Sequence, residues 1–273
     1  MRFTLIFLFV LLASCKEEEA EQPSTSLTGY EFRDGFEAST FQNLFPEDGA
    51  RWTNVQIVDP DSGQNRLELD STRFSEENKS LRVLVMPSGN ILSKADIEKS
   101  CFEAGRNNRI LIRADFFLSE EGSLANAFLL DLECCACWDP AVPDNQCPGV
   151  RLMLDETGEF IHLERGKIGL PTLTQFQLPM PRNEWVRLEW EMTLSDESPG
   201  QNTIRLNDEV ALSESGINLP NQTVFDSLFS AEGIDFSLQE PIQYHRFQIG
   251  VTANPSSESS EIWVDNVYLR IGS

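Results

Sequence analysis

Two histidines in 273 residues leave little material for imidazole chemistry, so a proton-transfer site built on histidine must use His162 or His245. Basic residues are scarce too: Lys+Arg total 21 against 44 Asp+Glu, a net charge of −23. A surface this acidic repels phosphate backbones and disfavours nucleic acid as a partner. It also opposes polyanionic sugars unless a local basic groove exists, and it suits calcium, which takes carboxylate and carbonyl oxygens. The apolar run Phe3 to Leu12 is about ten residues long, half of the roughly 20 that a membrane helix needs. Helix-period segments are almost missing. There is no internal repeat, no Ser-His-Asp arrangement of recognisable spacing, no phosphate loop and no nucleotide fingerprint.

What is present is alternation. Val186, Leu188, Trp190, Met192 and Leu194 alternate with Trp185, Arg187, Glu189, Glu191 and Thr193, the pattern of a strand with one face in a core. A polar break at Ser195 to Asn202 holds Pro199 and Gly200, and the chain returns as Thr203 to Leu206 and Glu209 to Leu212. Further strands are predicted at Arg66 to Leu69, Ser80 to Met86, Arg109 to Leu118, Ala127 to Glu133, Tyr244 to Ala253 and Glu261 to Ile271. The near-continuous apolarity of Arg109 to Leu118 suits a strand buried on both faces. Val150 to Leu154 and Glu159 to Glu164 flank Asp155-Glu-Thr-Gly158, a hairpin. One helical turn is predicted within Ser93 to Cys101, and a short helix near Asn221 to Phe229. Many short strands at this spacing predict an all-β, antiparallel sandwich in a single domain over 27–273.

The N-terminus reads differently. Met1-Arg2, the apolar run and Leu12-Ala-Ser-Cys15 form a signal peptide over 1–14, and the ending resembles a bacterial lipobox with Cys15 as the lipidated residue. Residues 15–26, opening on Lys16-Glu-Glu-Glu19, form a flexible acidic tether. This resembles the surface-export signal of Bacteroidetes lipoproteins, and implies an outer-membrane protein facing outward.

Five other cysteines follow: Cys101, Cys134, Cys135, Cys137 and Cys147. Export places them where disulfides persist. The expected pairs are Cys137–Cys147, closing a Pro-rich loop, and Cys101 with Cys134 or Cys135, with one thiol left over. A zinc site is the alternative, although Cys-Cys-x-Cys is not a zinc-ribbon spacing.

The Trp185–Leu212 hairpin, the opening Arg33-Asp-Gly-Phe-Glu37 and the closing Ile262-Trp-Val-Asp-Asn-Val-Tyr-Leu-Arg270 together resemble the concanavalin-A-like jelly-roll domains. That resemblance implies a jelly roll whose first and last strands share a structural calcium, with Glu37 and Asp265 as ligands. It implies a polysaccharide partner. Trp138 and Tyr244 would be stacking platforms and Arg246 a polar contact, whereas Trp185, Trp190 and Trp263 read as packing residues. Non-catalytic glycan binding is the first functional expectation.

A polysaccharide lyase is the alternative. Arg66-Leu-Glu-Leu69, Phe160-Ile-His162 and Tyr244 to Gly250 resemble, in part, the three motifs of alginate-lyase-type jelly rolls, and would bring His162, Tyr244, Arg66 and His245 to one groove. A hydrolase reading rests on Asp131 and Glu133, two apart on one strand face and roughly 7 Å apart at Cα, where retaining glycosidases need carboxyls about 5 Å apart. Laminarinase-like jelly rolls carry a third acid on that strand, which this sequence lacks. The plainer reading of the pair is a polar sheet face balanced by Arg151 or Arg187. A structural surface lipoprotein without a sugar site is the last alternative.

Overall fold

The structure, a computed structural model, describes residues 29–59, 61–89, 93–138, 147–174, 178–197, 199–230, 233 and 235–273. The leader, Cys15 and the tether lie outside these residues, as does the interior of the cysteine loop.

Period-two alternation becomes strand wherever the chain is described. In order these are β1 (Tyr30–Asp34), β2 (Asn54–Val58), β3 (Arg66–Asp70), β4 (Ser80–Val85), β5 (Lys94–Ala104), β6 (Arg109–Leu118) and β7 (Phe128–Glu133). They continue as β8 (Gly149–Leu154), β9 (Ile161–Glu164), β10 (Trp185–Thr193), β11 (Gln201–Leu206), β12 (Glu209–Ser215), β13 (Tyr244–Ala253) and β14 (Ser260–Gly272). A short helix α1 (Gln222–Phe229) precedes β13, its N-cap Asn221 accepting a hydrogen bond from the Val224 amide. Segment 93–101 is not helical: Ala95 and Ile97 face the core while Asp96 and Glu98 face the other way, so alternation prevails over the helix-forming side chains.

Two antiparallel sheets pack face to face as a β-sandwich. One has the order β12-β11-β10-β6-β14-β4-β3, with β1 paired to the second half of β14; the other has the order β2-β5-β13-β7-β8-β9. The hairpin at Trp185 to Leu212 takes the predicted register, Leu188 opposite Leu206 and Trp190 opposite Ile204. Between the sheets lies one apolar core. Trp52 is wholly buried and bridges it, its ring centroid 5.1 Å from Phe32 in β1 and 6.2 Å from Phe247 in β13. A buried ring such as Phe247 contributes roughly 1.5–3 kcal/mol from its apolar area.

The outer face of the larger sheet carries an aromatic line, Trp185 opposite Phe117 opposite Trp263, and Arg73 lies 4.1 and 4.0 Å above the last two rings. That cover is why β6 is buried on both faces in its second half. Trp190, on the other face, is core.

The disulfides depart from expectation. Cys134 pairs with Cys137 and Cys135 with Cys147. Cys101 pairs with neither Cys134 nor Cys135. Cys134 is the N-cap and Cys137 the last residue of a single 3-10 turn, which brings them together at a sequence separation of 3.

Candidate functional site

The site is built on the face of the six-stranded sheet turned away from the core. Register sets it out. Glu98 on β5 lies opposite Gln248 on β13, which lies opposite Asp131 on β7, then Arg151 on β8 and Glu164 on β9. A parallel line runs Ser100, Arg246, Glu133. On the far side of the first line, Asp96 faces Gly250, whose φ of +139° and close approach to the Ala95 carbonyl leave no room for a side chain.

These polar groups face outward, yet Asp96, Glu98, Asp131, Glu133 and Gln248 are each 6% exposed or less. Buried charge must be paired, and here most of it is. The Arg246 guanidinium lies 3.2 Å from Glu98 and 3.4 Å from Glu133. Lys167, on a 3-10 turn after β9, reaches Glu133 in a very short contact and Asp131 at 3.6 Å. Glu98 also accepts from Ser100 (2.7 Å), Gln56 (3.1 Å) and Gln248 (3.4 Å). Thr252 donates to Asp131 at 2.8 Å, and Arg151 donates to Glu164 at 2.7 Å while lying over the Phe128 ring.

Asp96 is the exception. Neither of its oxygens accepts a hydrogen bond among the described residues, and Lys94 stands 3.9 Å away. Burial pushes its pKa up to about 8, with Lys94 opposing and Asp131, Glu98 and Glu133 adding to the rise. Asp131 is also held above the ordinary carboxylate range by burial, against the pull of Lys167 and Arg151.

The residues singled out from sequence scatter. Arg66 is exposed on β3, in the other sheet. Tyr244 is wholly buried, its hydroxyl donating to the Asn218 carbonyl at 2.6 Å, and burial raises its pKa. It turns inward at the bulge that breaks the β5–β13 ladder between Tyr244 and Arg246. It is neither a base nor a stacking platform. His162 on β9 and His245 on β13 share the six-stranded sheet, but two strands separate them, roughly 14 Å at 4.8 Å per strand spacing. Burial lowers the pKa of both. The four groups of the lyase quartet therefore do not meet.

Trp138 is no platform either. It packs against Phe225, Phe229 and Phe236 with centroids 6.2, 6.3 and 5.0 Å away. Asp131 and Glu133 do lie at the centre of the face, with Arg246 beside them; the cation between them is Lys167. Arg187, in the larger sheet, binds Asp115 at 3.0 Å instead. Lys167 has no local sequence signal, since it reaches the pair from 34 residues away.

Two groups of donors bear on metals. Glu133 and the sulfurs of Cys135 and Cys147 converge within 4.8 Å, but those sulfurs are joined in a disulfide and are not thiolate ligands. Elsewhere, Glu37 and Asp265 hold opposite ends of one loop: Glu37 accepts from the Asn78 and Lys79 amides (2.8 and 2.7 Å), and Asp265 from those of Ser75 and Glu76 (2.9 and 3.3 Å). Asp265 is fully buried beside Asp115, and burial raises its pKa to about 6. No described cationic side chain pairs with it; its oxygens accept from the Ser75, Glu76 and Asn266 amides instead.

No known family's sequence model and no curated protein matches the chain. Solved structures do. The chain is similar to the cellulose-induced protein Cip1 over 87% of its length and 96% of that chain, with a TM-score of 0.58 at 14% identity. It is similar to an endo-β-1,4-glucuronan lyase from the fungus Trichoderma reesei, with a TM-score of 0.57 at 11% identity over 81% of this chain and 91% of that one. A variant of the alginate lyase Aly36B in complex with an alginate trisaccharide gives 0.50 at 9% identity, over 88% and 97%. At such identities the likeness is one of fold: a jelly-roll sandwich, shared with polysaccharide lyases.

Proposed function

We propose that the chain binds a polysaccharide along the outer face of the six-stranded sheet, without cleaving it. The observation that carries this reading is the line Glu98, Gln248, Asp131, Arg151, Glu164, which crosses five adjacent strands. Four strand spacings make it roughly 19 Å long. Arg151 and Glu164 along it and Arg246 beside it, with 19%, 12% and 30% of their side chains exposed, are the groups that sugar hydroxyls can reach, and the buried acids and amide fix them in place. The neighbours named for glucuronan, alginate and cellulose induction support polysaccharide as the ligand class.

The non-catalytic part rests on Tyr244 in the core and Arg66 on the other sheet. β-Elimination is the second reading, favoured by His245 lying close enough to Arg246, Glu98 and Glu133 for their charges to act on it. Affinity electrophoresis of the mature chain through a polysaccharide panel tests both, with ultraviolet absorbance of unsaturated uronate ends read in parallel. Retardation that Arg246→Ala abolishes, without new absorbance, is expected. New absorbance lost in His245→Ala would make the protein a lyase, and no retardation by any polymer would leave a structural surface protein.

We further propose, from the Leu12-Ala-Ser-Cys15 ending and the Lys16-Glu-Glu-Glu19 run after it, that the protein sits on the outer membrane facing outward, with residues 1–14 removed, Cys15 lipidated, a tether to residue 26 and one domain from residue 27. Mass spectrometry of the mature N-terminal peptide is expected to find a lipid adduct; a free or disulfide-bound Cys15 would refute it. Glu37 and Asp265 are assigned a structural calcium, and a chelator is expected to lower the melting temperature reversibly. An unchanged melt would remove the metal.

A further inference from the structure

We propose that the glycan held on the six-stranded face is uncharged, a neutral polysaccharide rather than a uronate polymer, because every basic side chain there is already committed to an acceptor of the same face: Arg246, Lys167 and Arg151 to carboxylates and Lys94 to the Gln56 amide. The proposal rests on the glycan-binding reading above and narrows it.

The commitments are specific. Arg246 is shared by Glu98 and Glu133, Lys167 by Glu133 and Asp131, Arg151 faces Glu164, and Lys94 is held by Gln56 and Asp96. An incoming uronate would have to take one of these cations from its carboxylate. The displaced carboxylate would stay buried without a counter-charge, which is the unfavourable arrangement. Both histidines are held below their ordinary pKa by burial, so they add no positive charge at neutral pH. The raised pKa of Asp96 keeps that acid protonated at pH 7. Glu98, Asp131, Glu133 and Glu164 then stand against Lys94, Arg151, Lys167 and Arg246, and no surplus positive charge remains to attract an anion. Around the face, the chain's net charge of −23 repels polyanions at long range.

A neutral sugar asks for something different. Its hydroxyls can donate to the part-exposed Glu164 while that acid keeps Arg151, and can both donate to and accept from the part-exposed amide of Gln56. None of this separates a buried pair.

The test is native affinity electrophoresis of the mature chain through soluble β-glucan, galactomannan and xyloglucan, and through alginate, polyglucuronate and polygalacturonate, each at about 50 and 500 mM salt. Retardation by at least one neutral polymer is expected, changing less than about twofold with salt, with none by the uronates. Retention by a uronate that weakens about tenfold or more with salt would overturn the neutral assignment and leave the glycan-binding reading standing. No retention by any polymer would sink both.

Charge variants give an independent readout. Glu98→Gln with Glu133→Gln releases Arg246 and leaves Lys167 with Asp131 alone, and is expected to lose neutral retention and gain salt-sensitive uronate retention. Should that pair of substitutions prevent folding, Glu164→Gln at the sheet edge frees Arg151 alone and is expected to gain weaker uronate retention. A folded Glu164→Gln variant that still ignores uronates would show that committed cations are not what excludes them.

Discussion

Replacing Lys167 with alanine tests whether the outer face of the six-stranded sheet is held by charge. The Lys167 side chain is 10% exposed and its ammonium lies between Glu133 and Asp131, themselves 8% and 6% exposed at the side chain. Without it, two buried carboxylates face each other, and the nearest remaining cations are Arg246, 3.4 Å from Glu133, and Arg151, in register with Asp131. Removing one partner of a buried pair costs about 3–5 kcal/mol, because the charge left behind is uncompensated. Taking the lower figure, since Arg246 and Arg151 remain, a chain of this size should melt roughly 6–12 °C lower near neutral pH. The deficit should depend on pH in a definite direction. Burial already holds Asp131 above the usual carboxylate range, and losing Lys167 raises it further. A group whose native pKa lies above its unfolded value, near 4 for aspartate, contributes stability at low pH that is lost as pH rises through the native value. The gap between Lys167→Ala and wild type should therefore be widest near pH 8 and narrow towards pH 5. Calorimetry across that range measures it. A variant melting within about 2 °C of wild type throughout, or a gap that widens on acidification, would refute the pairing.

Three further outcomes follow from the same geometry. Asp96, with a native pKa of about 8, should withdraw up to about 1.4 kcal/mol per pH unit between about pH 4 and pH 8; Asp96→Asn should flatten that slope in pH-dependent melting, and an unchanged slope would refute it. Tyr244→Phe loses the bond to the Asn218 carbonyl and should cost about 1 kcal/mol in denaturant unfolding, with glycan retention untouched. Trp138→Ala should cost about 3–5 kcal/mol by hollowing out the cluster around Phe236, whereas Trp138→Phe should retain glycan as wild type does. Loss of retention in a folded Trp138→Phe variant would return that ring to the sugar.

The sandwich was legible because strand alternation is local. Trp190 and its neighbours, the Asp155 turn and the closing Ile262 to Arg270 strand all carry their structure in adjacent residues. The exception, Ser93 to Cys101, mixes Lys, Ala, Glu and Ile in an order that suits a helix, and only pairing with β2 and β13 settles it as strand. The cysteine pairs were not legible, since four sulfurs within fourteen positions satisfy several connectivities and the 3-10 turn at Cys135–Cys137 selects one.

The site was harder for a reason of topology. Its acids arrive from β5 and β7, which are adjacent to each other neither in sequence nor in the sheet, and β13, from the far end of the chain, is inserted between them carrying Arg246 and Gln248. Lys167 completes the set from beyond β9. Asp131 and Glu133 stood out because two acids in an apolar strand are conspicuous. Asp96 and Glu98 did not, because a polar segment hides polar function. Tyr244 misled in the opposite way. Strand parity would place it beside Arg246 on the outer face, and the bulge between them sends the ring into the core. Charge arithmetic fails in the same manner: a chain at −23 contains a buried face whose cations and anions are matched, and what such a face attracts is decided by that local balance.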